Sequence, residues 1–357
     1  MDKKIKVVLF FGGRSAEHEV SCQSAAAVYK NLNQNKFEPS TIYINKAGKW
    51  TIVSSPLQPS NELNQKQFYS FMPWAEKDSP QLPEGDIYFP VLHGPFGEDG
   101  TIQGFLEMAD VPFVGAGVMG SAAGMDKEFS KILFQAHGLR VAKFLIIKEW
   151  DWEEKKTEVL SEIAGSFDPP FFVKPANMGS SVGITKVNNR ESTETAVDNA
   201  FKYDRKILVE EAIFGREFEC SVLGNEHPEA SLPGEVIPFR EFYDYRDKYV
   251  EGKTDFVIPA EIAPDLVSKI QRLSLEAFKA AECSGLARVD FFLQSSTQNL
   301  FINEINTLPG FTEISMYPKL WEVSGLPYPE LLERLIELGF ERHKKKKRKV
   351  EHEDIVY

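Results

Sequence analysis

Cysteine is scarce in this chain: three residues in 357, Cys22, Cys220 and Cys283, with no two closely spaced. That excludes a disulfide-stapled scaffold and a cysteine-ligated zinc module. It suits a reducing compartment in which the thiols act as small buried hydrophobes. Long apolar runs are also missing, so no segment reaches membrane-spanning length and no membrane insertion is expected. The start, Met1-Asp2-Lys3-Lys4-Ile5, carries no signal-peptide pattern, and the expected location is cytoplasmic. Positive charge is short as well. The net charge is −12, and six of the cations stand together at Lys344–Lys349; without them the remainder carries −18. A body this acidic is unsuited to general nucleic-acid binding, which needs a basic surface.

What is present describes an ordinary globular protein, 42% hydrophobic and 26% charged, long enough for two or three domains. Lys6–Phe11 reads as an apolar strand ending at Gly12-Gly13, and the Ala/Val spacing from Val20 to Leu32 predicts a helix. Thr41–Ile44 and Trp50–Val53 read as two strands, Ser54–Pro83 as a long polar excursion, and Ile87–Leu92 as another buried strand. A helix over Ile102–Met108 and a strand over Val111–Gly115 follow. The first strand and Ile87–Leu92 both run into polar, glycine-rich segments, Gly12–Ser21 and His93–Gly100. In an open α/β sheet such ends share one ligand crevice. The Gly12-Gly13 turn lacks the full dinucleotide fingerprint. Glu17 beside it reads either as a ligand-binding group or as a first-turn helix carboxylate.

Gly120–Lys127 leads into a helix ending near His137, followed by a strand over Val141–Lys148 and an amphipathic helix over Trp152–Ala164. Phe171-Phe172-Val173 then end in Lys174, a small-residue loop follows, and a second strand is expected from Val182. Backbone N–H groups of such a loop can lie over phosphates with a lysine at the stem, although this loop has no Gly-Lys-Ser/Thr of the Walker type. A plain glycine-rich hairpin is the alternative. Ile207–Ile213 reads as a strand with acids at its end, at a position that suits adenine and ribose, and Phe218–Leu223 and Glu235–Phe239 as further strands. Arg240–Asp255 mixes charge with aromatics and reads as a loop that closes over a site, or as a static loop anchored by its tyrosines. Leu266–Ala281 is an amphipathic helix, Tyr317–Gly339 carries short helical segments, and the basic run from His343 reads as a disordered tail.

The most informative stretch is Ala287–Gly310. Two β-prone runs flank the polar break Gln294–Asn299, which predicts a hairpin. Side chains two apart share a strand face, so Arg288 goes with Asp290 and Glu304 with Asn306. One antiparallel register, centred on Thr297, pairs Asp290 with Glu304 and Arg288 with Asn306. Facing carboxylates repel unless a cation lies between them, and two carboxylates plus an amide oxygen suit Mg²⁺ with room for phosphates. An exposed hairpin face with one Arg–Asp pair is the plain alternative. The apolar surroundings favour a Mg–nucleotide site.

In this order, the segments 12–21, 93–100, 125–127, 174–183, 243–249 and 288–310 resemble a D-alanine–D-alanine ligase of the ATP-grasp superfamily. The resemblance runs from about Lys4 to Gly339. It implies an α/β fold, α+β in parts, with an open α/β N-terminal domain at 1–124, a central domain at 125–213, a C-terminal domain at 214–342 and a tail at 343–357. ATP would lie between the last two domains. Lys127 and Lys174 would bind phosphates, Glu210, Glu211 and Ile213 the adenine, and Glu217 the ribose. Lys248 on the closing loop would reach the γ-phosphate. Asp290, Glu304 and Asn306 would hold two Mg²⁺ (or Mn²⁺). Glu17, with His93 nearby, would bind the ammonium of the first D-alanine, linked through Ser180 to Tyr249. Arg288 and the Gly310 N–H would stabilise an oxyanion, and Ser315, with Met316 beside it, would bind the carboxylate of the second D-alanine. A homodimer is implied as well. The rivals are a D-alanine–D-lactate or D-serine ligase, another ATP-grasp carboxylate–amine ligase, and a non-catalytic nucleotide-binding regulator.

Overall fold

The computed structural model describes residues 3–57, 83–238 and 254–346, and three sheets organise them. The first has the order β3-β2-β1-β4, with β1 at Ile5–Gly12, β2 at Phe37–Ile44, β3 at Trp50–Val53 and β4 at Ile87–Val91. β1 runs parallel to both β2 and β4, and β3 closes one edge antiparallel to β2. A parallel strand is buried on both faces, which is why β1 reads as an unbroken apolar run. Its alternation divides it between two cores. Val7, Leu9 and Phe11 pack with Ala25 and Val28 of α1 (His18–Asn31), while Val8 and Phe10 pack with Ile102 and Leu106 of α2 (Thr101–Met108).

The second sheet has the order β5-β8-β6-β7 and is antiparallel throughout: β5 Phe144–Lys148, β6 Phe171–Pro175, β7 Thr185–Val187 and β8 Lys206–Glu211. Two helices, α5 (Glu149–Ser166) and α6 (Thr193–Ala200), supply Trp152, Val159, Ile163, Ala196, Val197 and Ala200 to its core. The third sheet has the order β12-β11-β9-β13-β14, with β10 (Glu229–Ala230) beside β9. Its strands are β9 Gly215–Gly224, β11 Gly234–Ile237, β12 Asp255–Val257, β13 Gly285–Gln294 and β14 Leu300–Asn306. Ile270, Ala277 and Phe278 of α7 (Pro264–Ala280) cover it.

In chain order, α3 (Val118–Met125) and α4 (Lys127–Ala136) follow the first sheet and precede the second. The helix expected after Gly120–Lys127 is α4, and the lead-in itself forms α3; the two part at Asp126, whose extended ψ of 111° stops α3 and whose carboxylate accepts from the N–H groups of Glu128 and Phe129 to cap α4. The third sheet carries α8 (Met316–Val323), and the chain ends in α9 (Tyr328–Lys346).

Several expectations are corrected. Val111–Gly115 is reduced to one parallel bridge, Tyr88↔Phe113. Pro112 has no N–H to extend a ladder, and the positive φ of Asp110 and Gly115 turns the chain on both sides. The strand expected from Val182 starts at Thr185, because Ser180, Ser181 and Gly183 all have positive φ and prolong the turn. The strand expected from Val141 starts at Phe144, and Val141 itself makes an isolated bridge to Ile302. The short helical segments after Tyr317 include one 19-residue helix, α9, which returns to the first sheet and packs Leu331, Leu332, Leu335 and Ile336 with Val7 and Leu9. Glu333 on α9 binds Lys36, at 2.6 Å, and Asn33.

The tail expected to be disordered from His343 is helical through Lys346. Lys345 pairs with Glu226 at 2.7 Å and Lys346 with Glu107, and cations at a helix C-terminus also complement its dipole. Lys347–Tyr357 lie outside the described residues, as do most of the polar excursion and the closing-loop reading up to Lys253. Asp255, the expected end of that loop, instead opens β12.

Candidate active site

The β13–β14 hairpin pairs as its midpoint predicts: Arg288 with Asn306 and Asp290 with Glu304. Beyond Asp290 the register shifts, so that Phe291 faces Ile302 and Asn303 is the extra residue of a bulge. Arg288 donates Nε and Nη2 to the two oxygens of Asp290, each at 2.7 Å, and Asn306 Nδ2 donates to Asp290 Oδ2 at 3.0 Å. On the next strand Glu219 lies beside Asp290 and is ion-paired with Arg288, its Oε2 3.0 Å from Nε. Burial lowers the Arg288 pKa, but Asp290, Glu219 and Glu304 outweigh it and hold the guanidinium charged well above its usual range. Hard oxygens from two carboxylates and an amide at one end of a hairpin fit a divalent cation such as Mg²⁺.

Lys127, at the start of α4, ties this patch to the loop after β6. Its Nζ lies 3.4 Å from Glu304 Oε2 and donates to the Met178 carbonyl at 2.8 Å. The loop is pinned at its start by Asp204, which accepts from Asn177 N at 2.8 Å and Nδ2 at 3.1 Å. At its tip Ser180 hydroxyl donates to Glu17 Oε1. Glu17 stands just before α1, with its N–H held by Ser15 Oγ at 3.0 Å, and Ser15 in turn donates to the His93 carbonyl at 2.6 Å. Its other oxygen is cradled by two glycines, since a Cβ at either Gly94 or Gly179 would come within 2.7 Å of Glu17 Oε2. Gly94 also has a φ of +73° that favours glycine.

His93 is 4% exposed. Its Nδ1 lies 3.0 Å from the Leu308 carbonyl, so Nδ1 carries the proton and Nε2 accepts from Ser24 Oγ at 2.9 Å. Burial lowers its pKa, which keeps the ring neutral. Ser24 Oγ also accepts from Phe311 N–H at 3.1 Å. His93 and Ser24 therefore hold the Leu308–Pro309 and Gly310–Phe311 peptides, one before and one after the peptide that carries the Gly310 N–H. Glu98 is the opposite case: loss of solvent and the nearby Glu17 push its carboxyl up to about 8, although Gly94 N–H donates to it at 2.7 Å.

Two cavities meet here. One, of about 290 Å³, is lined by Glu17, His93, Ser180, Arg288, Gly310 and Ser315 among others. The other, of about 130 Å³, runs past Lys174, Glu210, Glu211, Ile213, Glu217 and Asp290. Lys127, Met178, Ser180, Glu219 and Glu304 border both. In the smaller cavity the Glu210 carboxylate is hydrogen-bonded to Lys174 and ion-paired with Lys131. Burial alone would raise the Glu210 pKa, but the two lysines pull it to about 2. In the larger one Ser315 precedes α8; its Oγ accepts from Thr312 N–H at 3.0 Å and makes no cap to the helix.

The described site residues of the sequence reading thus gather around one pair of joined cavities, while Lys248 and Tyr249 lie outside the described residues. Sequence reasoning passed over three neighbours. Lys131 is one helical turn beyond Lys127 on the buried face of α4, and a lysine in that stripe was its signal. Glu219 follows Glu217 by two along β9, a period that puts both on one face. Ser24 gives no sequence signal, because its role depends on contacts far along the chain.

The three sheets, with a cleft between the second and third, have the ATP-grasp fold of the D-alanine–D-alanine ligases. A D-ala D-ala ligase N-terminus family model matches residues 6–116, and a D-ala D-ala ligase C-terminus model matches residues 133–337. The chain belongs to the D-alanine–D-alanine ligase family. It is 47% identical to a D-alanine–D-alanine ligase of Natranaerobius thermophilus over 97% of this chain and 98% of the relative. With the Bacillus cytotoxicus ligase it shares 48% identity over the same shares of the two chains. Among solved structures, the Coxiella burnetii D-alanine–D-alanine ligase matches with a TM-score of 0.84 and 36% identity, over 97% of this chain and 96% of the other. The VanG D-Ala:D-Ser ligase of Enterococcus faecalis also reaches 0.84, at 34% identity, over 94% of this chain and all of the other.

Proposed function

We propose that the chain joins two molecules of D-alanine into D-alanyl-D-alanine with consumption of ATP, through an acyl phosphate, and so supplies peptidoglycan synthesis. The observation that carries this reading is the meeting of two cavities at Lys127 and Glu304, one beside Glu17 and Arg288, which the reading gives to the amino acids, and one beside Lys174 and Glu210, which it gives to the nucleotide. A carboxylate is a poor acyl donor, so the γ-phosphoryl group is first transferred to the carboxylate of the first D-alanine. Glu17, fixed by Ser180 and Ser15, takes the ammonium of that molecule. Lys127 and Lys174 face the phosphates and offset their charge. Glu210, Glu211 and Ile213 line the adenine end, and Glu217 the ribose.

Asp290, Glu304 and Asn306 would hold two Mg²⁺ (or Mn²⁺), which when bound neutralise charge on the phosphoryl group being transferred. The amine of the second D-alanine then attacks the acyl carbon, an amine proton is lost and phosphate leaves. Arg288, aligned by Asp290 and Glu219, and the Gly310 N–H, held by His93 and Ser24 through its neighbours, stabilise the oxyanion between those steps. Ser315 and the uncapped N–H groups of α8 receive the second carboxylate.

Lys248 and Tyr249 complete the reading: Lys248 meets the γ-phosphate, Tyr249 extends the Ser180–Glu17 link, and their loop shields the acyl phosphate from water. The same reading divides the chain into domains at 1–124, 125–213 and 214–342, keeps it in the cytoplasm and pairs it as a homodimer. Among the described residues no helix is long and apolar enough to cross a membrane.

D-serine as the second substrate is the alternative reading, and it rests on the structural likeness to VanG. Product analysis decides between them. Incubation with MgATP and equimolar D-alanine and D-serine, read by mass spectrometry, should give D-alanyl-D-alanine in excess; predominance of the mixed dipeptide overturns the choice of second substrate.

A further inference from the structure

Lys131 has no part in the chemistry described so far, yet it is 1% exposed, where burial lowers its pKa and the Glu210 carboxylate works against that. A lysine ammonium buried on a helix is strongly disfavoured unless its charge is answered. Its ammonium is ion-paired with Glu210 Oε1 and lies 3.3 Å from the carbonyl of Asn303. Asn303 is the bulged residue of β14, next to Glu304, and the bulge takes it out of the register with β13. The other oxygen of Glu210 holds Lys174. One carboxylate thus answers two ammonium groups, and of the three Lys174 and Glu210 line the nucleotide cavity while Lys131 sits behind them.

We propose that Lys131 is a positioning residue for nucleotide binding: by holding Glu210 it leaves the Lys174 charge free for a phosphate. This rests on the nucleotide reading of the cavity. With Lys131 present, Glu210 is already neutralised when Lys174 turns to an anion, and the Asn303 contact keeps the Lys131 ammonium in place. Without Lys131, Glu210 and Lys174 form a closed neutral pair, and a phosphate must compete with a buried carboxylate for the same ammonium. Lys131 itself touches no nucleotide in this arrangement; it acts through Glu210.

The test is a double-substitution cycle with Lys131→Met and Glu210→Gln, measuring MgADP binding by calorimetry and melting temperature for each protein. Lys131→Met alone should weaken MgADP binding by roughly tenfold or more, with the KM for D-alanine unchanged. In the Glu210→Gln background the same substitution should change MgADP binding by no more than about twofold, since the carboxylate through which it acts is gone. Equal losses in both backgrounds would mean that Lys131 acts on the nucleotide by another route, and no loss in the wild-type background would mean that it acts on stability alone. Either result overturns the proposal. If Lys131→Met fails to fold, the comparison of Glu210→Gln with the double variant decides. A tenfold loss between those two overturns the proposal, and matching affinities support it. A wild-type chain that binds no MgADP overturns the nucleotide reading itself.

Discussion

Glu304→Gln separates the chemistry of the site from its folding. Glu304 stands opposite Asp290 with Lys127 Nζ at 3.4 Å, and its side chain is 26% exposed. Two opposing effects set the change in stability. Removing one of two facing carboxylates relieves a like-charge contact of about 0.2–1 kcal/mol. Losing the Lys127 partner costs a similar amount, about 0.5–1 kcal/mol for a partly exposed pair. The net change should stay within about 1 kcal/mol in either direction, or roughly 2–4 °C in Tm at most. Turnover should respond on another scale. The amide keeps the shape but loses the full charge that a hard cation requires. Loss of one electrostatic group acting in the transition state costs about a hundredfold or more. The assay is D-alanine-dependent phosphate release at saturating ATP and Mg²⁺, beside a thermal melt followed by circular dichroism. Near-normal turnover with a normal melt would remove Glu304 from the metal site. A collapse of the melt together with turnover would make it a structural group instead.

Three further outcomes are expected. Glu210 is held at about 2 against an ordinary 4.5, a depressed carboxylate whose stabilisation is present above about pH 4.5 and lost as pH falls toward 2. That is worth about 3 kcal/mol, so Glu210→Gln should flatten the acid limb of stability against pH, and an unchanged slope would contradict the pairing. Gly310→Ala would place a Cβ 2.7 Å from Ser315 Oγ. It should raise the KM for the second D-alanine by roughly tenfold with little change in melting, whereas a loss confined to kcat would move Ser315 out of that subsite. Ser24→Ala leaves His93 Nε2 and Phe311 N–H without their shared partner in a buried setting. Denaturant unfolding should show a loss of about 1–3 kcal/mol, and a loss well under 1 would mean that water replaces the hydroxyl.

Local periodicity made the β13–β14 hairpin legible. Alternation in β13 and β14 put four polar side chains on one face, and a shared midpoint fixed which of them meet. The bulge at Asn303 was not legible, because an extra residue leaves no mark on the composition of the strand. Motif order carried the resemblance and with it the positions of Lys127, Lys174, Glu17 and Ser315, which the fold then brings to adjoining cavities. Long-range contacts decided the rest. Nothing local in Tyr328–Lys346 shows that this helix returns to the first sheet, and Ser24 gains its partners from Phe311 and His93. Pro112 is a readable sign against a strand at Val111–Gly115. The buried lysine at position 131 was readable too, from its place one turn after Lys127.

The central claim, that this site activates one D-amino acid for attack by another, meets its most direct test in phosphate release from MgATP. The purified chain is assayed with D-alanine, with L-alanine and with neither. The account predicts release only with D-alanine, matched one to one by dipeptide formed. Equal release with L-alanine, or release without any amino acid, would contradict it.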